Sequence, residues 1–326
     1  MNGIIVVNKE KGYTSHDVVA VLRGVLHEKK IGHTGTLDPD ATGVLPVCVG
    51  YATKICDFLL AQQKEYIAEG RLGVVTDTQD IQGTVLSSVT PDVSEEDFRS
   101  AVAGFVGAIE QLTPMYSARK IDGVKLIDLA RRGITIERSK KTVRVYGIDV
   151  LEYNRETGDY KIRVLCQKGT YIRTICNDIG EKLGCGSCMT SLVRTGTGNF
   201  RVENSVTIDE IRILMNSGRI GEALIPIDAM YLGSAPMELA PEYRKYIANG
   251  NALEKEWLTP IAEPVVTHTD VYGNLLGDSE LSTIRVYLAG EFFAIYKKRG
   301  RRYIPLQMYH EVDNEKNRAS RAGEEQ

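Results

Sequence analysis

Short apolar runs separated by polar, glycine-bearing turns set the rhythm of this chain from its start. Residues 4–7 are uniformly apolar and predict a buried strand, closed by a polar turn at 8–12. Ser15 fits the N-cap of a helix over 16–27, with Val18, Val19, Leu22, Val25 and Leu26 at helical spacing. Residues 44–49 form a second compact apolar run, a buried strand or a short helix, and 52–62 carry Ile55, Phe58 and Leu59 in a helical pattern. The period changes to two over 64–73, where Tyr66, Ala68 and Leu72 share one face of a predicted strand. A turn-rich loop at 76–83, without the acidic spacing of a calcium loop, leads into an antiparallel partner from Val85. Ser94 to Asp97 resembles a capping box, and Phe98, Val102 and Phe105 follow on one helix face.

The second half continues in the same manner. Residues 111–118 read as extended, and Val124, Leu126, Ile127, Leu129 and Ala130 supply a short apolar helix between Gly123 and Gly133. Residues 143–151 and 160–166 alternate as strands. Thr170 is placed to cap a helix with Ile172, Ile175, Cys176, Ile179 and Leu183 on its buried side and Gly184 as its stop. Tyr171 and Arg173 then fall in the first turn, where a cation opposes the helix dipole. Such a cation is either an ordinary exposed arginine or one facing an anion, a carboxylate such as Asp38 or a phosphate. Residues 233–236 look like a linker. Beyond them come a helix at 243–250 with an Asn-Gly stop and strands at 284–287, 291–296 and 302–306, while the stretch 257–282 fits no clear pattern. The polar tail 313–326 is expected to be disordered. No internal repeat is present.

One stretch departs from this alternation. Gly32, Gly35 and Gly43, with Pro39, Asp38 and Asp40, make 32–43 a tightly turned loop anchored to the apolar run at 44–49. A polar loop rooted in a core can hold a single carboxylate rigidly at a cleft. On local chemistry alone Asp38 is equally a turn-former bonding nearby backbone. No Gly-Lys-Ser/Thr closes the loop as a Walker motif requires, and no GxGxxG fingerprint occurs.

Charge sharpens the picture. The formal net charge is only −3, yet residues 119–144 hold nine Lys/Arg against three acidic residues, and Lys297, Lys298, Arg299, Arg301 and Arg302 form a second basic island. Two basic islands on an acidic body suit a polyanion held at defined places. A basic segment with so few core residues is expected to order on binding. Composition is that of a soluble protein, 43% hydrophobic and 25% charged, with no run of the roughly 18 apolar residues that a membrane span needs. The start is too short and too quickly polar for a signal peptide, so the cytoplasm is expected. The six cysteines sit in apolar surroundings like reduced core thiols, and Cys185 and Cys188 lack the second close pair of a zinc site; a redox pair is the other reading.

Gly32-His33-Thr34-Gly35-Thr36-Leu37-Asp38-Pro39, followed by Ala41-Thr42-Gly43-Val44-Leu45-Pro46 and Gly50-Tyr51-Ala52-Thr53-Lys54, closely resembles the TruB-type tRNA pseudouridine synthases. The resemblance extends over roughly 3–85 and 110–230, with a fainter match to about 310. It implies an α+β fold: a catalytic domain over 1–232 on a mixed, largely antiparallel sheet flanked by helices, and a small PUA-like β-barrel over 237–312. Residues 119–144 would be an inserted thumb that grips RNA. Asp38 maps onto the catalytic aspartate. Within Lys168-Gly169-Thr170-Tyr171-Ile172-Arg173, Tyr171 maps onto the base pocket and Arg173 onto the partner of the aspartate. Leu192 aligns with an apolar pocket wall, Tyr66 with the tyrosine that stacks on the target base, and His33 with a histidine contacting RNA. Leu112-Thr113-Pro114 departs from the family pattern, as does much of the C-terminal module.

The implied reaction converts the uridine at position 55 in the T-loop of tRNA to pseudouridine. It is an isomerisation on a flipped-out base that needs no cofactor and no metal. The implied partner is the T-arm stem-loop of tRNA, with no membrane, no obligatory protein partner and a monomeric enzyme. Two other readings stand beside it, a tRNA-binding folding factor with little catalysis and a guide-RNA-dependent pseudouridine synthase. The full set His33, Asp38, Tyr66, Tyr171, Arg173 and Leu192 argues against a catalytically dead protein.

Overall fold

The apolar run at 4–7 lies inside the strand Gly3–Lys9, which pairs antiparallel with Thr42–Val49, so the second apolar run is a strand as well. The computed structural model describes residues 1–121, 123–262 and 283–310. These two strands open a nine-stranded sheet that continues through Ser187–Thr197, Lys64–Leu72, Asp159–Cys166, Lys140–Tyr153 and Gly107–Leu112. Ile31–His33 and Phe200–Arg201 pair alongside this path. One junction in the sheet is parallel. Thr42–Val49 meets Ser187–Thr197 there, with Val193 opposite Thr42 and Arg194 opposite Gly43. Close approach at that junction requires a glycine: Gly43 has φ +100°, and a Cβ on it would lie 2.3 Å from the Arg194 carbonyl oxygen.

Strand periodicity assigns the layers. Odd-numbered Ile5 and Val7 pack with Val18 and Leu22 of the helix Ser15–Leu26 and Ile211 of Ile208–Asn216. Even-numbered Ile4 and Val6 pack with Ile295 and Tyr309 from the C-terminal part of the chain. Tyr66, Ala68, Ile162 and Val164 pack against Phe98 of Glu95–Ala103 and Ile175 and Ile179 of Ile172–Lys182. Phe98 is fully buried, stacked at 4.4 Å on Tyr153. The result is the expected α+β architecture, a mixed, largely antiparallel sheet flanked by helices.

Several local expectations change. Thr14 rather than Ser15 caps the first helix: its hydroxyl accepts from the Asp17 amide while the Asp17 carboxylate accepts from the Thr14 amide. Ser15 is buried, and its Oγ instead accepts from the Leu37 amide at 2.9 Å, bracing the Asp38 loop. The predicted helix over 52–62 divides into a 3₁₀ turn at Gly50–Ile55 and an α-helix at Cys56–Ala61. The helix expected to begin at Thr170 starts at Ile172, with Tyr171 in the cap position; the Thr170 hydroxyl donates to the Gln167 carbonyl. Of the extended segment at 111–118, only the end of Gly107–Leu112 is strand.

The C-terminal module is a six-stranded curled sheet, ordered Leu253–Glu254, Arg302–Met308, Glu291–Arg299, Thr283–Leu288, Ala235–Leu239 and Leu258–Pro260. Trp257 stacks at 4.2 Å on Tyr243 at its edge. The tail 313–326, and residues 263–282 of the stretch that fits no pattern, lie outside the described residues. Among the described residues no helix is long and apolar enough to cross a membrane.

Candidate active site

The Asp38 loop joins Ile31–His33 to Thr42–Val49 and is held by hydrogen bonds at every turn. The Thr34 amide donates to the Pro46 carbonyl at 3.1 Å and the Ala41 amide to the Asp38 carbonyl at 3.1 Å. The Gly12 amide donates to the Pro39 carbonyl at 2.9 Å. Lys9, wholly buried, donates its Nζ to the carbonyls of Pro39 (3.1 Å), Tyr13 (2.6 Å) and Glu10 (3.0 Å). Three N–H donors meet three carbonyl acceptors, and one acceptor belongs to the loop. Burial lowers the Lys9 pKa to about 8, against the pull of Asp38 and Asp40, which favour its charged form.

Arg173 projects from the second residue of Ile172–Lys182 and is 9% exposed. Its Nη2 donates to Asp38 Oδ2 and its Nη1 to the Tyr116 carbonyl at 3.3 Å. The carboxylate keeps 46% of its side-chain surface in solvent, while its partner keeps 10%. A buried guanidinium thus orients a carboxylate whose other face remains open. This answers the sequence question about a cation in the first turn of a helix: its anion is Asp38.

Asp38 and Arg173 stand between two chambers. The first, about 270 Å³, is lined by Asp38, Lys64, Tyr66, Tyr171, Leu192 and Arg194. Its volume lies at the small end for ligand sites and suits a single ring system rather than a length of strand. The second, about 380 Å³, shares Asp38, Arg173 and Leu192, and adds Asp40, Asp80 and Arg131. Tyr66 is 9% exposed, and burial raises its pKa, so its hydroxyl stays protonated. The structure therefore brings Asp38, Tyr66, Tyr171, Arg173 and Leu192 to one place. His33 is not among the residues lining either chamber. Its Nδ1 donates to the Gly35 carbonyl at 3.1 Å, which leaves Nε2 to accept from His16 Nδ1 at 3.2 Å.

Sequence reasoning missed Lys9, Lys64, Arg194, Asp80 and His16. For three of them a signal was available in strand parity: Lys9 shares the side of Ile5 and Val7, Lys64 that of Tyr66, and Arg194 that of Leu192. Lys64 is 4% exposed, donates to the Leu60 and Gln62 carbonyls at 2.6 Å each, and is lowered by burial to about 7. Asp80 sits in the loop that read as an ordinary turn; burial raises its pKa while the Arg173 charge works against that shift.

The basic segment forms a two-residue hairpin, Lys120–Ile121 with Val124–Lys125, and the helix Leu126–Ala130. Its base closes on buried Thr113, whose hydroxyl accepts from Arg119 at 2.9 Å and whose carbonyl accepts from Arg138 at 3.0 Å. The atypical Leu112-Thr113-Pro114 sequence is the clasp of this insertion. Arg131 reaches from it to the wall of the second chamber.

The chain matches the pseudouridine synthases, isomerases acting on RNA. Residues 23–172 match the model described as "TruB family pseudouridylate synthase (N terminal domain)", and 173–230 match "tRNA pseudouridylate synthase B C-terminal domain". The chain belongs to the TruB family. A tRNA pseudouridine synthase B from Alkaliphilus oremlandii is 45% identical over 273 residues, covering 83% of this chain and 90% of the relative. One from Lachnoclostridium phytofermentans is 41% identical, covering 95% of this chain and 100% of the relative. Among solved structures, a Cbf5-Nop10-Gar1 complex is similar at a TM-score of 0.64 and 25% identity, covering 95% of this chain and 86% of that one.

Proposed function

We propose that this enzyme isomerises the uridine at position 55 in the T-loop of tRNA to pseudouridine, with Asp38 as its one catalytic carboxylate acting on a base flipped into the first chamber. The observation that carries the reading is the Asp38–Arg173 pair at the mouth of a small chamber walled by Tyr66, Tyr171 and Leu192. The reaction breaks the C1′–N1 bond, turns the base and joins C5 to C1′; the C5 proton is lost and N1 gains one. Nothing is gained or lost overall. Asp38 serves as nucleophile at C1′ or as base through a glycal, and Arg173 keeps it aimed in either route. Extruding the base costs roughly a few kcal/mol, and stacking on an aromatic such as Tyr66 returns about 1–3 kcal/mol.

The relatives at 41% identity or more carry the name tRNA pseudouridine synthase B, which favours tRNA as substrate without a guide RNA. Residues 1–232 act as the catalytic domain, 119–144 as its RNA-gripping insertion and 237–312 as an RNA-binding module. His33 meets the RNA at the rim of the site, and the enzyme works as a cytoplasmic monomer. The test is pseudouridine formation on an unmodified tRNA transcript without added cofactor. The intact enzyme should convert one T-loop uridine, and Asp38→Asn should abolish turnover while leaving RNA affinity within a few-fold. Product from Asp38→Asn would overturn the role of that carboxylate. Binding without turnover by the unsubstituted protein would favour a folding factor or a missing guide RNA.

A further inference from the structure

Arg194 is among the largest fully buried side chains of the described residues, at 1% exposure, and its burial is only partly compensated. Its Nε donates to the Val44 carbonyl at 2.7 Å and its guanidinium also reaches the Tyr66 side chain, but its Nη2 has no acceptor. Among the described residues no carboxylate pairs with it. A guanidinium cannot discharge itself by losing its proton, and a buried unpaired charge is costly, so a fold that keeps one calls for a partner from outside it. Its location supplies the clue. Arg194 lines the same chamber as Asp38, Tyr66 and Leu192, beside buried Lys64. Of the four buried side-chain polar atoms without a partner among the described residues, two belong to residues lining this chamber, Arg194 Nη2 and Ser117 Oγ. The chamber therefore holds unspent hydrogen-bonding capacity and an excess of positive charge on the side away from solvent.

Resting on the reading of this chamber as the uracil pocket, we propose that Arg194 is a second catalytic residue, whose free N–H donates to a carbonyl oxygen of the base as it leaves. When C1′–N1 breaks, the electron pair goes to N1 and spreads onto O2 and O4, while C1′ either bonds to an Asp38 carboxylate oxygen or, in the glycal route, forms a double bond to C2′ as Asp38 takes the C2′ proton. The detached base is then an anion held in the pocket. A fixed cation whose hydrogen bond strengthens as that charge develops lowers the barrier, because its orientation is set before the reaction starts. Asp38 acts on the sugar and Arg194 on the base, so the two charges serve opposite ends of the same breaking bond. The Val44 contact fixes the guanidinium by its Nε, and Nη2 is the buried nitrogen without a partner.

The decisive experiment compares leaving groups. Single-turnover loss of the target nucleoside is followed on tRNA transcripts carrying uridine or 5-fluorouridine, whose electron-withdrawing fluorine stabilises the detached base as an anion. We expect Arg194→Gln to slow loss of uridine by roughly a hundredfold with RNA affinity changed less than about threefold. Loss of 5-fluorouridine should be slowed distinctly less, and Arg194→Lys should fall between. Arg194→Lys carries the same comparison if Arg194→Gln does not fold. Equal slowing of both substrates, or a loss confined to RNA affinity, would overturn the proposal while leaving the pseudouridine-forming reading intact. Absence of turnover by the unsubstituted enzyme on uridine would overturn both.

Discussion

At the scale of single residues, Lys9 shows how a site sets stability and activity against each other. Its ammonium has three donors for three carbonyls, so losing a proton must release at least one, and the Pro39 carbonyl next to Asp38 is among them. Activity should therefore fall as pH rises through about 8, the value to which burial lowers Lys9. Stability should respond the other way. With a folded-state pKa below the ordinary 10.5, the folded chain binds fewer protons than the unfolded one between about 8 and 10.5. The cost of burying the charge is fully present below pH 8 and fades toward 10.5. A pH–rate profile beside urea midpoints for the intact protein and Lys9→Met tests both limbs. The stability difference, intact minus variant, should climb from pH 8 to 10 while the intact rate declines; a parallel fall of the two would show that Lys9 does not act this way.

At the scale of elements, the site is made where remote strands meet. The parallel junction of Thr42–Val49 with Ser187–Thr197 sets the Asp38 loop beside Leu192 and Arg194, and Gly43 is what allows it. Gly43→Ala would press a methyl group onto the Arg194 carbonyl and should cost about 2 kcal/mol, read as a lowered thermal midpoint with reduced turnover. An unchanged midpoint would mean that the junction can open freely. The basic insertion makes a separate prediction. Replacing Arg131 and Arg132 by Glu should weaken RNA binding and flatten its dependence on salt, because fewer phosphate counterions are released. A salt slope equal to that of the intact protein would remove these arginines from the RNA contact.

These elements also show what was legible beforehand. Alternation over 64–73 and the apolar runs at 4–7 and 44–49 gave the strands, since each is a local periodicity. The two helix N-caps differ from the expected ones by a residue because other partners decide them: Ser15 Oγ is engaged by the Leu37 amide, and Thr170 Oγ1 by the Gln167 carbonyl while the Tyr171 amide donates to Gln111. Lys64 and Arg194 lie on the covered face of their strands, the side that Tyr66 and Leu192 share, although a cation on a strand ordinarily reads as solvated. Asp38 alone read as a turn-former. The long motif around it marks the carboxylate, and the structure adds the buried arginine that aims it.

At the scale of the whole molecule, the C-terminal module is joined to the back of the catalytic sheet. Ile4, Val6 and Val44, on the first two strands, share a core cluster with Ile295 and Tyr309. Around that cluster Tyr309 and Tyr231 meet hydroxyl to hydroxyl at 2.5 Å, Lys54 donates to the Met308 carbonyl at 2.7 Å, and the Tyr287 hydroxyl donates to Asp228 at 2.7 Å. Thr42–Val49 is thus packed from behind by the module while its N-terminal end carries the Asp38 loop. Stability of the module and rigidity of the site should therefore rise and fall together. Tyr309 is 2% exposed, and Tyr309→Ala should cost about 3 kcal/mol, the usual scale for removing a buried aromatic ring. Calorimetry should show one cooperative transition for the intact chain, lowered as a unit in the variant. If Tyr309→Ala instead split the trace and left a catalytic half melting at the original temperature with full turnover, the two parts would be independent bodies in contact. In that case the module would serve RNA capture alone and contribute nothing to holding Asp38 in place.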